Sequence, residues 1–294
     1  MNAFDPRLTA ARPDIAAAHL RGTVDAKAFV TPQLLRVTAP TAPLRREPVP
    51  DAPLDTEALA GEPVAVYEER EGWVWGQLLR DGYVGYLPAE ALGRPSLPPD
   101  HAVTVPRTFV FPGPSIKLPP LSALPYAAEI AVAATGPAPF ARLADGGFVF
   151  ARHIAPLRAW RDRDFVATAE RFLGVPYLWG GKTVLGIDCS GLVQVSLRAA
   201  GVNWPRDTYR QEQSPAAAPV AGGEQGHGLA RGDLVYWKGH VGIMVDAERL
   251  LHANAHHMMV VIEPLIDVVE RSLSRGGWPI TSVKRLAFPK TAGV

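Results

Sequence analysis

Cysteine is nearly absent from this chain: in 294 residues there is one, Cys189. A single thiol excludes an intramolecular disulfide and a cysteine-rich zinc module, and it suits a reducing compartment. Long apolar runs are missing too, since no stretch approaches the ~18 apolar residues of a membrane span. The first thirty residues, MNAFDPRLTAARPDIAAAHLRGTVDAKAFV, interrupt with arginines, aspartates and a histidine the apolar run that a secretory signal needs. The expectation is a soluble, cytoplasmic protein. Charge of one sign is lacking as well: the net charge is +1, which gives no reason to expect nucleic acid or an anionic membrane as partner. Nothing in the composition calls for an oligomer, and a monomer is compatible with it.

What the chain has is core material, 47% hydrophobic against 20% charged residues, over a length that predicts more than one domain. Proline concentrates in the first half. There, PTAPLRREPVPDAP and GRPSLPPDHAVTVP read as extended connections, because each Pro fixes φ and removes a donor. Between them, short β-type runs broken by Glu-Gly and Asp-Gly predict tight hairpins. This half also repeats itself. Val37–Pro48 lines up with Val103–Pro114, and Val84 with Val149, a period of roughly 65 residues. Two small all-β barrels are expected, over residues 35–95 and 100–158, after an N-terminal segment 1–34.

From about residue 160 to 290 the texture changes. DFVATAERFLG and CSGLVQVSLRAAG carry apolar residues at helical spacing, each ended by a glycine. RGDLVYW, HVGIMVD, RLLHA, MMVVIEPL and ITSVKRLA then read as strands. Helices first and antiparallel strands after describe an α+β domain.

Cys189 opens the second of these helices, where free N–H groups and partial positive charge favour a thiolate and can also receive an oxyanion. A low thiol pKa is therefore expected. Its spacing from Leu192 and Val193 turns it toward the packed strands. His240 opens one strand and His252 lies on the next, twelve residues on, which fits neighbouring antiparallel strands joined by a turn at DAER. Each histidine alone is compatible with a buried structural imidazole. A helix-start cysteine followed by two strand histidines points instead to nucleophilic catalysis. The rival use is zinc held by His252, His256 and His257, but their segment reads as strand, turn, strand and lacks an HExxH helix.

PYLWGG, DCSGLVQ, RGDLVYW with HVGIMV, and LLHA resemble, in order and spacing, the NlpC/P60 cysteine peptidases of bacterial cell-wall metabolism. The duplicated β-units resemble bacterial SH3 (SH3b) domains, an arrangement similar to the γ-D-glutamyl-L-diamino acid endopeptidases. The resemblance implies a papain-like α+β catalytic domain over 160–290, preceded by two SH3-like barrels. It implies Cys189 as nucleophile, His240 as base and His252 as the residue orienting it, with no cofactor and no metal. Tyr177, Asp188, Ser190, Thr208 (where serine is more usual) and Tyr83 of the first barrel would line the substrate pocket. Asp188 is expected to bind a substrate ammonium, which would neutralise it beside the thiolate. The implied partner is a murein tripeptide or tetrapeptide with a free N-terminal L-Ala. Another cysteine amidase or acyltransferase on the same fold, or a non-catalytic wall-peptide binder, are the alternatives.

Overall fold

The computed structural model describes residues 4–135, 138–162 and 164–287, and the chain divides into two compact units at Trp160/Arg161. In the N-terminal unit, Ile15–Ala17 and Ala28–Val30 form a small parallel pair ahead of a larger sheet. Seven strands then make one sheet in the order Leu54–Leu59, Thr41–Arg45, Val84–Pro88, Trp73–Leu78, Pro63–Arg70, Gln33–Val37, Leu92–Gly93. The Glu-Gly pair of the sequence sits at the tip of its central hairpin, with Glu71 and Gly72 both at positive φ (52° and 80°). That is the type I′ geometry that matches strand twist. Val37, Leu44, Val64, Val74, Leu78 and Leu87 fill the core, and Tyr83 is buried among them.

The second half of this unit repeats the pairing order with shorter strands. Arg107–Val110 pairs with Ser122–Pro125, Val132–Thr135 with Phe140–Leu143, and Phe140–Leu143 with Phe148–Phe150. His101–Val103 pairs with both Glu129–Ile130 and Ile154–Pro156, as Gln33–Val37 does with its own two neighbours. Val103, Val110, Leu124, Ile130, Leu143 and Val149 form a separate core.

In the C-terminal unit, α1 (Phe165–Glu170) is capped by Asp164, whose carboxylate accepts from the N–H groups of Val166 and Ala167. It stops before Gly174, which closes the following turn at φ 79°. The helix α2 (Cys189–Ala199) is capped by Asp188. One apolar face was expected, yet nearly the whole helix is buried, because α1, the sheet and α3 (Thr208–Glu212) all pack on it. Burying Leu192, Val193 and Leu197 contributes roughly 1.5–3 kcal/mol each toward holding α2 in place.

Six antiparallel strands follow: β1 (Ala217–Pro219), β2 (Leu234–Trp237), β3 (His240–Met244), β4 (Arg249–Asn254), β5 (Met259–Pro264) and β6 (Ser282–Leu286). Their order is β1-β6-β2-β3-β4-β5. Leu265, read from sequence as the last residue of a strand, instead opens α4 (Leu265–Ser274), a helix the sequence reading did not assign. Leu265 and Val268 turn inward onto Val235, Met244 and Leu250, a helical spacing that the preceding apolar strand obscures. Among the described residues, no helix is long and apolar enough to cross a membrane.

Candidate active site

Cys189 is the first residue of α2, and three glycines make its position possible. The loop Pro176–Gly181 and the start of α2 approach backbone to backbone: a Cβ on Gly191 would lie 2.5 Å from the Gly181 carbonyl oxygen. One on Gly181 would lie 2.4 Å from the carbonyl oxygen of Gly186. The glycines of PYLWGG and DCSG are thus steric requirements of the turn that presents the thiol.

Asp188 organises this corner. Its carboxylate accepts from the N–H groups of Gly191 (2.7 Å) and Gly180 (2.8 Å), and from both terminal nitrogens of Arg206 (2.9 and 2.6 Å). Arg206 Nη1 also donates to Ser190 Oγ at 2.8 Å. Both members of the ion pair are buried. The carboxylate on which a substrate ammonium was expected is thus already paired with an internal guanidinium. Arg206 was missed because it stands far from the cysteine in sequence, and only its neighbour Thr208 drew notice. Gln211 Nε2 ties α3 to this corner by donating to the Ser190 carbonyl (3.0 Å), and Thr208 is buried at the start of α3.

The pairing of β3 with β4 brings His240 and His252 together, with Nε2 of His240 2.8 Å from Nδ1 of His252. His252 is buried and its Nε2 lies 2.8 Å from Glu263 Oε1 on β5. The N–H of Val241, next to His240, is directed at the sulfur of Cys189, as is that of Ser190. The structure thus brings Cys189, His240 and His252 to one place, with Ser190 in the same corner. Tyr177 lies near enough to Cys189 and Asp188 to sense them electrostatically, and burial above all, with Asp188 nearby, pushes its hydroxyl pKa up. Tyr83 belongs to the N-terminal unit, in the core of its seven-stranded sheet. His256 and His257 meet edge to face with ring centroids 4.6 Å apart, and His257 reaches Glu263 rather than His252. Among the described residues, no group of three or more His, Cys, Asp or Glu side chains converges as a metal site would.

The electrostatics differ from the expectation of a low thiol pKa. Burial and the Asp188 carboxylate push Cys189 up to about 11, outweighing the N–H groups of Val241 and Ser190 and the charge of Arg206. Burial, with the charges of His252 and Arg271, pushes His240 well below its ordinary value. The resting pair is a neutral thiol beside a neutral imidazole, and the helix terminus alone does not ionise it. Alkylation by iodoacetamide, which needs the thiolate, is accordingly expected to be slow at pH 7, where about one thiol in 10⁴ is ionised. Its rate should rise about tenfold per pH unit and level off near pH 11. A plateau already reached at pH 7 would show a resting ion pair.

The helix-start cysteine packed on a sheet that carries the histidines defines an α+β, papain-like unit. Residues 174–278 match the NlpC/P60 family, and residues 44–92 match the bacterial dipeptidyl-peptidase SH3 domain. The C-terminal unit thus carries an NlpC/P60 domain, and a bacterial SH3 domain precedes it in the sequence. It is 28% identical to a γ-D-glutamyl-L-lysine dipeptidyl-peptidase of Bacillus cereus over 243 residues, 72% of this chain and 71% of that one. A protein of the same name from Bacillus subtilis is 32% identical over 114 residues, 36% of each chain. A crystal structure of an NlpC/P60 family protein from Bacillus cereus shares the fold, with a TM-score of 0.71 at 21% identity, over 86% of this chain and 99% of that one.

Proposed function

We propose that this protein is a cytoplasmic cysteine endopeptidase that hydrolyses the bond between γ-D-glutamate and the diamino acid in free peptidoglycan-derived peptides. The observation that carries this reading is that Cys189 faces the N–H of Val241, next to His240, while Nε2 of His240 is engaged by His252 and Nδ1 is left to serve the thiol. The two Bacillus relatives named as γ-D-glutamyl-L-lysine dipeptidyl-peptidases support the choice of bond. A dipeptidyl-peptidase counts from a free amino end, which supports a substrate beginning with L-Ala. Residues 100–158 are read as a second SH3b barrel and 160–290 as the catalytic domain.

The neutral pair works by general-base catalysis. As the sulfur of Cys189 forms its bond to the amide carbon, the thiol proton passes to Nδ1 of His240. The carbonyl electrons move onto oxygen, where backbone N–H groups at the start of α2, with the Tyr177 hydroxyl, hold the charge. Collapse of this intermediate breaks the C–N bond, and His240 returns its proton to the leaving amine of the diamino acid. Water, giving its proton to the same nitrogen, then attacks the thioester and releases L-Ala-D-Glu with the thiol restored. Ser190, Thr208 and Tyr177 line the pocket. No cofactor or metal takes part. The free amine of the substrate is read as bound near Asp188, Tyr177 and Ser190, with Arg206 holding the Asp188 carboxylate in place.

The test compares one enzyme preparation on L-Ala-γ-D-Glu-meso-diaminopimelate, its N-acetyl derivative and intact sacculi, with products read by mass. The free peptide should be cut at the glutamyl–diaminopimelate bond, the acetylated one on the order of 100-fold more slowly, and sacculi negligibly. Equal rates on the two peptides would remove amine recognition, and efficient digestion of sacculi would remove the recycling role.

A further inference from the structure

A carboxylate outside the expected set terminates the line of imidazoles. Across the β4–β5 pairing His252 stands opposite Val261 and Leu250 opposite Glu263, which makes His252 and Glu263 diagonal neighbours on one face. Glu263 Oε1 is 2.8 Å from His252 Nε2. Arg271 on α4 grips both carboxylate oxygens, Nη1 to Oε2 at 2.9 Å and Nη2 to Oε1 at 2.6 Å. His257 Nε2 adds a longer contact to Oε2 at 3.4 Å. Burial alone would raise the carboxyl pKa, but the hydrogen bonds from His252 and Arg271 hold it well below the usual carboxylate range.

An ionised carboxylate only accepts hydrogen bonds. Nε2 of His252 must then carry its proton, which leaves Nδ1 of the same ring as an acceptor. The proton shared between the two rings therefore belongs to Nε2 of His240, and its Nδ1 keeps a bare lone pair. One contact opposes this order: Asn254 Nδ2 lies 3.0 Å from His252 Nε2 and would donate to it if that nitrogen were unprotonated. Two donors cannot share one contact, and a carboxylate at 2.8 Å, fixed by a guanidinium, is a stronger partner than a neutral amide. Were Asn254 to win, His240 would present an N–H to the thiol and could not act as a base.

We infer that Glu263, clamped by Arg271, is a positioning residue that sets the tautomers of His252 and His240 and so leaves the base nitrogen of His240 free. This role presupposes Cys189 and His240 as nucleophile and base. It is directional rather than a matter of charge at a distance, because the fields of Glu263 and Arg271 reach His240 with opposite sign. An amide oxygen in place of the carboxylate should consequently preserve part of the effect, and an alkyl group none.

The experiment is nitrogen-15 NMR of the histidines in the full-length, substrate-free protein at pH 7, combined with kinetics on L-Ala-γ-D-Glu-meso-diaminopimelate. In the wild type both His240 and His252 should be protonated at Nε2, and Glu263→Leu should mix or invert these tautomers. General-base catalysis is worth about 10²–10⁴-fold, so Glu263→Leu should lower kcat by about 100-fold and Glu263→Gln by about 10-fold, with KM within about twofold. Protonation of His240 at Nδ1 in the wild type would overturn the assignment, as would wild-type kcat in Glu263→Leu. The tautomers are read without substrate, so a wild type that cleaves no peptide would refute the peptidase while the spectrum still decides the role of Glu263. The wild-type spectrum and Glu263→Gln decide the matter should Glu263→Leu fail to fold.

Discussion

Replacing Cys189 with alanine is expected to lower peptide hydrolysis by a factor on the order of 10⁴ to 10⁶, with the fold retained. There is no second cysteine to take over the nucleophile's part. The residue is small and buried at the start of a helix already capped by Asp188, so losing the sulfur removes a few contacts and no structural hydrogen bond on which α2 depends. Thermal unfolding close to that of the wild type, beside absent turnover, is the expected pair of measurements. Cleavage by the variant at even a few per cent of the wild-type rate would end the reading of Cys189 as nucleophile.

The second large effect separates the two histidines. His240 must take a proton from the thiol and return it to the leaving amine, so His240→Ala should cost about 10²–10⁴-fold in kcat with little change in KM. His252 only accepts from one side and donates to the other. A glutamine can imitate that polarity, its carbonyl toward His240 and its amide toward Glu263, whereas leucine cannot. His252→Gln is therefore expected to keep partial activity and His252→Leu to approach His240→Ala. Steady-state kinetics on the free tripeptide checks this, and an active His240→Ala beside an inactive His252→Gln would reverse the assigned roles.

These particulars show which parts of the site are open to reading in one dimension. The helix at Cys189 was legible because a capping aspartate precedes it and apolar residues recur at helical spacing. The twelve-residue spacing from His240 to His252 fits two strands and a turn, which is what β3 and β4 form. Glu263 was hidden within the apolar run of β5, because only the register of β5 against β4 brings it near His252. Arg271 was hidden with it, since the run that forms α4 drew no assignment between the strands read on either side of it. Arg206 reaches Asp188 through tertiary folding that no local pattern announces.

The electrostatic balance was the least legible. The sequence shows that Cys189 opens a helix, which argues for a low pKa. It does not show how completely α1, α3 and the sheet enclose that helix, and this enclosure reverses the sign. Asp188 illustrates the same limit, because its charge was visible and its partner was not. In the proposed mechanism the proton therefore moves during attack rather than before it.

Trapping the acyl-enzyme tests the central claim most directly. The full-length protein is mixed with excess L-Ala-γ-D-Glu-meso-diaminopimelate, quenched in acid within the first turnovers and digested, and the Cys189-containing peptide is weighed. The account predicts a thioester of the L-alanyl-γ-D-glutamyl group on Cys189, together with free diaminopimelate in solution. Diaminopimelate released with no acyl group on Cys189 at any quench time, and released equally by Cys189→Ala, would contradict it.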